Sequence, residues 1–346
     1  MAFARKVASQ DGTLDCVKFN PIDFVWPLFF GIIAMLLLFV FSHDILAFLG
    51  VAQPQFINAL AINLPLVFII SMGMGILQGK EDFGKYSIML IFQAFSRLFF
   101  VVMALLLNTG SDGIFLAIFV SNIITIISLI FICSKFDLIV EFKAGHFTAY
   151  PLLPIVVGLI VSMHTSIDVF WARHVLGTDM AGNFAATAIL GKIILYGPMG
   201  IIFILFPRIV SLYRIGDPVN KLIVRAFCGA FLLSIILFLL VNFAVRSLFP
   251  FVFGNLFAIN PGVLVIYSMA MLLLGLNYLL FSLFVALRVG SYSIWFGLGG
   301  FISAFVLLWS FGDSDITIAA TLLVANMIVF LTSFWNLLKI ITQRKV

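Results

Sequence analysis

Four ionisable residues lie inside long apolar segments, where a charge is costly and is usually retained for function. They are Arg97, His164, Asp168 and Lys192. A charged side chain at the centre of a bilayer costs about 2.5–3.5 kcal/mol on insertion scales, so each should face a partner or a wet cavity. Cations in such a place can bind a phosphate anion, and a His–Asp pair can relay a proton. These four are therefore the candidate functional residues.

Lys192 and Asp168 admit a structural interpretation beside the functional one. Counted from the ends of their apolar segments, Lys192 lies roughly 15 Å deep and Asp168 roughly 5–10 Å deep, so the long lysine stem reaches the carboxylate. Lys192 is then a substrate contact, or the two form an ion pair that neutralises both charges. His164 lies four residues before Asp168, on the same face of a continuous helix. It is a candidate for coupling to proton movement, and the alternative is a hydrogen-bonded structural histidine.

Arg97 lies about twelve residues, or roughly 18 Å, into its apolar segment. Its guanidinium can bind a phosphate through two parallel hydrogen bonds, or it can tie helices together through backbone carbonyls. No acidic residue occurs in the same segment to neutralise it, which favours exposure to a cavity. Two intramembrane cations against one anion favour an anionic ligand.

Other kinds of chemistry find little support. The three cysteines, Cys16, Cys133 and Cys228, are dispersed and form neither a zinc-binding pattern nor a disulfide framework. No G-x-x-x-x-G-K-[ST] loop is present, so the chain itself does not hydrolyse ATP. The external loops are short and carry no paired carboxylates for reactions on sugars. We therefore expect a protein that is not an enzyme and that uses no cofactor and no metal.

The elements that must position these residues are membrane-spanning helices. Of 346 residues, 64% are hydrophobic and 10% are charged, with a mean hydropathy of +1.25, whereas an ordinary soluble domain is about a quarter charged. A span needs about 20 predominantly apolar residues, and such runs recur ten times. The predicted spans cover residues 24–42, 59–78, 86–107, 113–133, 151–171, 183–206, 222–245, 262–287, 293–311 and 316–338. We predict an all-α polytopic bundle of about ten spans.

Six amide side chains also fall inside these spans, where amides commonly form hydrogen bonds between helices. They are Asn63, Gln93, Asn122, Asn242, Asn277 and Asn326.

The distribution of Lys and Arg predicts the orientation in the membrane. Fifteen of the 19 basic residues fall in the two tails and in alternate loops, and only Arg173 and Arg246 fall in the other loops. Cytoplasmic loops carry the excess of positive charge. We therefore expect both termini on the cytoplasmic side of a cell membrane, and no nucleic-acid binding despite the net charge of +5.

Weak internal repeats indicate a duplication. The pattern F-x-R-x-V at residues 3–7 recurs at 206–210, and GKYSI at 84–88 recurs as GSYSI at 290–294. The similar offsets imply that the first four spans correspond to the last four. The repeating unit then has six helices, which predicts a four-helix lobe over residues 1–144 and a complete six-helix lobe over residues 145–346. By this interpretation the first two spans of a twelve-helix protein are missing.

Two groups of residues carry a resemblance to known proteins. The first is Gly73, Gly75, Leu77-Gln78-Gly79 and Phe83, and the second is Asp168, Ala181-Gly182, Ala186, Leu190-Gly191-Lys192, Pro198 and Phe206-Pro207-Arg208. The first group resembles the G-x-LQG-x-x-x-F stretch after the fourth span of polysaccharide exporters, and the second resembles their seventh and eighth spans. The chain thus resembles the lipid-linked oligosaccharide (O-antigen type) flippases of the multidrug/oligosaccharidyl-lipid/polysaccharide exporter superfamily. It departs from them at Asn183, where an aromatic residue is usual.

This resemblance implies a MATE-like pair of lobes around a central cavity, which moves a polyprenyl-pyrophosphate-linked oligosaccharide to the outer face of a bacterial inner membrane. It implies Lys192 and Arg97 as substrate contacts, and membrane lipids and glycosyltransferases or a polymerase of the same pathway as partners. The alternatives are a cation-coupled drug antiporter of the same fold and a truncated homologue that does not transport.

Overall fold

The computed structural model describes residues 16–19, 21–49, 55–80, 82–133, 137–140, 152–216, 218–245, 247, 259–287, 289 and 291–344. The chain divides into two compact units, Met1–Thr148 and Ala149–Val346, here called unit 1 and unit 2. Each unit is a bundle of apolar helices.

Unit 1 consists of long apolar helices between two short strands. Its elements are β1 (Cys16–Phe19), α1 (Pro21–Val40), α2 (Ser42–Leu49), α3 (Gln55–Gly79), α4 (Phe83–Leu106), α5 (Gly110–Cys133) and β2 (Asp137–Val140). Helix α3 packs against α1 and α5, and α4 packs against α5. Gly31 of α1 lies against α3, where an added Cβ would come within 2.8 Å of the Pro65 Cα. Only glycine permits this close approach of the two backbones.

Strands β1 and β2 form a parallel ribbon, which the all-α prediction did not include. Cys16 lies opposite Asp137, and Phe19 lies opposite Val140. Because the strands flank the apolar helices of unit 1, their pairing requires the chain to return to the side on which it started. An even number of membrane crossings meets this requirement.

Unit 2 surrounds one deeply buried helix. Its elements are α6 (Leu152–His164), α7 (Ile167–Val175), α8 (Thr178–Ile215), α9 (Asn220–Leu239, continued by a π-helical turn, Leu240–Val245), α10 (Pro261–Ala286), α11 (Ser291–Phe311) and α12 (Asp315–Arg344). In α10, 19 of 26 residues are buried, and it packs mainly against α8 and α12. A helix that is apolar on all sides is buried on all sides, and α10 therefore forms the core of unit 2.

The prediction of ten spans differs from the structure in two places. The described residues contain eight helices long and apolar enough to cross a membrane, or nine if α1 and α2, bent by 63°, form one span. The predicted span 151–171 is divided into α6 and α7, of 13 and 9 residues. At the break, Thr165 Oγ1 donates to the Ser162 carbonyl and the Ser166 amide donates to the Met163 carbonyl. These tighter bonds replace the regular helical pattern and end α6.

The helix pairings of unit 1 recur in unit 2. Helices α1 and α3, α3 and α5, and α4 and α5 pack together in unit 1. The corresponding helices in the predicted repeat also pack together in unit 2, namely α9 with α10, α10 with α12 and α11 with α12.

Candidate functional site

Three polar side chains of unit 2 meet where α7, α8 and α10 converge. Asp168 is completely buried, and Lys192 Nζ lies 3.1 Å from its Oδ2 and donates to its Oδ1 at 3.3 Å. The Tyr267 hydroxyl donates to the same Oδ2. The contact predicted between Asp168 and Lys192 is therefore present, and Tyr267 is a third member that sequence reasoning missed. We call Asp168, Lys192 and Tyr267 the carboxylate cluster.

Residues of α8 pack closely around the Tyr267 ring. A Cβ added to Gly191, the residue before Lys192, would lie 2.3 Å from Tyr267 Cδ1. Glycine at this position therefore makes room for the tyrosine ring. Phe184, which precedes Gly191 in α8, packs edge-on against the same ring, with centroids 5.7 Å apart. The Gly191-Lys192 dipeptide thus provides both the space for the tyrosine and the counter-ion for Asp168.

A second contact anchors α7, which carries Asp168. The indole Nε1 of Trp171 donates to the Gly312 carbonyl at 3.0 Å, between α11 and α12. Trp171 is buried, so this bond is shielded from competing solvent. Because Asp168 lies one helical turn before Trp171, this bond fixes the depth of the carboxylate.

The carboxylate cluster is electrically balanced within unit 2. The charge of Lys192 faces the charge of Asp168 at ion-pair distance, and buried pairs are stable only when further hydrogen bonds complete them. Tyr267 supplies such a bond. The Lys192 side chain retains 19% exposure, and Asp168 already compensates its charge.

His164 does not join this cluster. The predicted shared helical face is wrong, because the helix ends at His164 and resumes only at Ile167. His164 is buried, and its Nε2 has no hydrogen-bond partner among the described residues. Its ring lies near α11, with Cε1 3.4 Å from the position of a Cβ on Gly300.

Arg97 belongs to a separate polar chain in unit 1. Its Nη2 donates to Asn122 Oδ1 at 3.3 Å, Asn122 Nδ2 donates to Asn63 Oδ1 at 2.9 Å, and Asn63 Nδ2 donates to the Ala59 carbonyl at 2.9 Å. The two amides are buried, whereas Arg97 is exposed. No carboxylate in the described part of the chain pairs with Arg97. Arg97 is therefore an anchored cation without a counter-ion there.

The amides perform the structural role predicted for them at several positions. Asn122 bonds to Asn63 between α5 and α3, and Asn277 and Asn326 bond between α10 and α12. Asn242 instead bonds to the Phe238 carbonyl of its own helix. Among the described residues, no group of three His, Cys, Asp or Glu side chains is placed to hold a metal.

Comparison with known proteins identifies the fold. No protein-family model matches the chain, and no curated protein matches it significantly. Several solved structures do match. The structure of a MATE point mutant has a TM-score of 0.75 at 14% identity, covering 100% of this chain and 84% of that chain. A MATE structure in the bent conformation has a TM-score of 0.72 at 14% identity, covering 100% and 84%.

A transporter of the MOP superfamily from Pyrococcus furiosus Vc1 also matches, with a TM-score of 0.71 at 15% identity over 97% of this chain and 81% of that chain. Identities this low show the fold alone. The chain is an all-helical polytopic bundle with a MATE-like fold.

Proposed function

We propose that the protein is a membrane transporter that carries a polyprenyl-pyrophosphate-linked oligosaccharide across the bacterial cytoplasmic membrane for cell-surface polysaccharide synthesis. The MATE-like fold supports a transporter. Within this proposal both termini lie in the cytoplasm, and the enzymes that make or polymerise the oligosaccharide are the functional partners.

The observation that carries the proposal is that Arg97 has no counter-ion in the described part of the chain. It lies 14 residues into the 24-residue helix α4, roughly 14 Å from the nearer helix end. Arg97 is exposed, and among the described residues its guanidinium is held only by the neutral amide of Asn122. A cation at this depth is too costly to face hydrocarbon. A phosphate-bearing substrate would supply the missing negative charge through charge-assisted hydrogen bonds.

Lys192 has a different part in the proposal. Because Asp168 already compensates it at 3.1 Å, Lys192 can contact a phosphate only if the carboxylate is protonated or moves away. The carboxylate cluster thus suits a coupling role, in which a change at Asp168 releases Lys192. In this proposal Arg97 is always available to bind the anion, whereas Lys192 binds it only after release from Asp168.

The test compares Arg97→Gln and Arg97→Lys with Arg208→Gln, which removes an exposed arginine elsewhere. Binding of an undecaprenyl-pyrophosphate-linked disaccharide to purified protein is measured, with undecaprenol as the neutral ligand. Loss of a charged hydrogen bond costs about 1.5–3 kcal/mol, or roughly ten- to a hundredfold in Kd. We expect that loss for Arg97→Gln, a smaller one for Arg97→Lys and none for Arg208→Gln. Equal affinity of wild type and Arg97→Gln for the pyrophosphate ligand would contradict the proposal.

A cation-coupled antiporter is the second candidate, and the buried carboxylate of Asp168 favours it. Such a protein should lose proton-driven drug efflux in the Asp168→Asn variant while Arg97→Gln remains active. A homologue that does not transport would show neither activity, and its wild type would fail to bind the disaccharide lipid.

A further inference from the structure

Helices α9 and α12 share an aromatic surface near one end of unit 2. The ring of Phe227 on α9 lies 5.2 Å from that of Phe334 and 6.3 Å from that of Phe330, both on α12. Phe330 and Phe334 are themselves stacked at 5.6 Å. All three side chains are half-buried, so the rings form a partly open apolar floor.

Basic residues lie beyond these three rings, toward the same end of unit 2. Helices α9 and α12 run in opposite directions, so that α9 begins and α12 ends at that end of unit 2. Lys221 precedes Phe227 by six residues and Lys339 follows Phe334 by five, which places them roughly 9 Å and 7.5 Å beyond the rings. Around the axis of α9, Lys221 is rotated by about 120° from Phe227, and around the axis of α12, Lys339 is rotated by about 140° from Phe334. Because the two helices run in opposite directions, both rotations bring the lysines to the same side of the helix pair.

Within the described part of the chain, the cations at this end have no acidic partners. Lys221, Arg225 and Lys339 are exposed, and none pairs with a carboxylate within the described ranges. Lys339 Nζ lies 5.4 Å above the ring of Trp335, which is 61% exposed. Tryptophan and lysine side chains are typical of the interface between hydrocarbon and headgroups.

The exposed face of α9 indicates the same interface between hydrocarbon and headgroups. Its first two turns carry Lys221 and Arg225, and the exposed residues that follow are apolar, including Leu232 and Ile236 at 60% and 50% exposure. A helix face that changes from basic to apolar crosses from the headgroup layer into hydrocarbon. The aromatic floor therefore begins where a lipid chain leaves its headgroup.

We propose that this surface binds an anionic phospholipid, with its phosphate on Lys221, Arg225 and Lys339 and an acyl chain along Phe227, Phe330 and Phe334. Three cations that pair with no carboxylate in the described part of the chain select a headgroup with net negative charge over a zwitterionic one. The apolar floor beside them selects a ligand with a hydrocarbon chain over a soluble phosphate. This site is independent of the substrate proposed above.

The experiment measures lipid binding to the delipidated full chain by native mass spectrometry. The probes are phosphatidylglycerol and phosphatidylcholine with the same acyl chains, and glycerol phosphate as the chain-free anion. The site variant is Lys221→Gln/Lys339→Gln. The control is Arg208→Gln/Arg214→Gln, which removes the same charge from exposed positions near the same end of unit 2.

Wild type should prefer phosphatidylglycerol, and the site variant should bind it roughly 25-fold more weakly, at about fivefold for each basic residue. The control should keep the wild-type preference. Equal losses in both variants would show non-specific attraction and overturn the proposal, as would competition by glycerol phosphate at the lipid's own concentration.

Cys228 provides a local readout that does not depend on a change in charge. It is exposed and adjoins Phe227 on the side that Lys221 faces. In a Cys16→Ser/Cys133→Ser background, saturating phosphatidylglycerol should slow maleimide labelling of Cys228 at least severalfold, and phosphatidylcholine should not. An unchanged rate of Cys228 labelling while phosphatidylglycerol is bound would show that the lipid binds at another site and would overturn the proposal.

Discussion

The carboxylate of Asp168 is fully buried and accepts hydrogen bonds from two side chains. Lys192 and Tyr267 both reach it, from helices that lie in different parts of the unit 2 sequence. A buried carboxylate is stable only when its lone pairs are occupied in this way. The position of the tyrosine ring is consequently as important to the cluster as the lysine charge.

A single added methyl group should disturb that position. In Gly191→Ala the new Cβ would lie 2.3 Å from Tyr267 Cδ1, so the ring and its hydroxyl must shift away from Asp168. Overpacking of this kind costs about 1–3 kcal/mol. We expect a lower apparent melting temperature in detergent.

The matched control for this prediction is Gly200→Ala in the same helix. Nothing lies within 4 Å of its added Cβ, and alanine is favoured over glycine in a helix by about 0.5–1 kcal/mol. That variant should melt at or above the wild-type temperature. Similar behaviour of the two variants would show that the contact with Tyr267 has no energetic importance.

The candidate residues were predictable from the sequence because a charge inside an apolar run is conspicuous. Helical rise from the segment ends also placed Lys192 and Asp168 at compatible depths. Tyr267 gave no such signal, because a tyrosine within an apolar helix is common and its partner lies 99 residues away. The chain from Arg97 to Asn122 and Asn63 likewise depends on how three helices pack.

At the scale of elements, the breaks in the helices were the least predictable feature. The residues around Thr165 and Ser166 contain neither glycine nor proline, and the polar stretch His164-Thr165-Ser166 is only three residues long. The break arises from side-chain and 3₁₀-type hydrogen bonds, which compete locally with the helix and leave no periodic trace. The apolar runs therefore predicted where the helices lie better than whether each helix is continuous.

The start of α4 is a helix terminus with a pH dependence. Asp82 accepts from the Lys85 amide at 3.1 Å and from Lys85 Nζ at 2.7 Å. The hydrogen bond from the Lys85 side chain lowers the pKa of Asp82 below its ordinary value of 3.8. Because the pKa is lowered on folding, the ionised carboxylate stabilises the folded state, and this contribution is fully present above the ordinary pKa. It is lost as the pH falls through the lowered pKa of the folded state.

Asp82→Asn tests this contribution, because asparagine keeps the capping acceptor and removes only the charge. Since the pair is partly exposed, we expect a loss below about 1 kcal/mol near neutral pH. Melting curves should show the difference from wild type shrinking to nothing below the folded pKa. A difference that persisted at low pH would indicate a loss of packing rather than of charge.

At the scale of the whole molecule, the asymmetry of basic residues predicts which side each end of the bundle faces. If both termini are cytoplasmic, the α4–α5 and α11–α12 turns face outward and the α8–α9 turn faces inward. Asn108, Asp313 and Pro218 are exposed residues in these three turns, so each can carry a cysteine.

In a cysteine-free background, a membrane-impermeant maleimide should label Asn108→Cys and Asp313→Cys in intact cells. Pro218→Cys should react only after permeabilisation. The inverse pattern would reverse the orientation, and labelling of Pro218→Cys together with either of the others would contradict the arrangement of the spans itself.

The ribbon between β1 and β2 has a consequence for biosynthesis. The paired residues Cys16 and Asp137 are 121 positions apart, and at about 5–20 residues per second the second strand emerges roughly 6–24 seconds after the first. Throughout that interval the first strand lacks this partner, since the described helices of unit 1 are all encoded between the two strands. The ribbon can therefore form only after those helices have been synthesised and the chain has returned to the side on which it started.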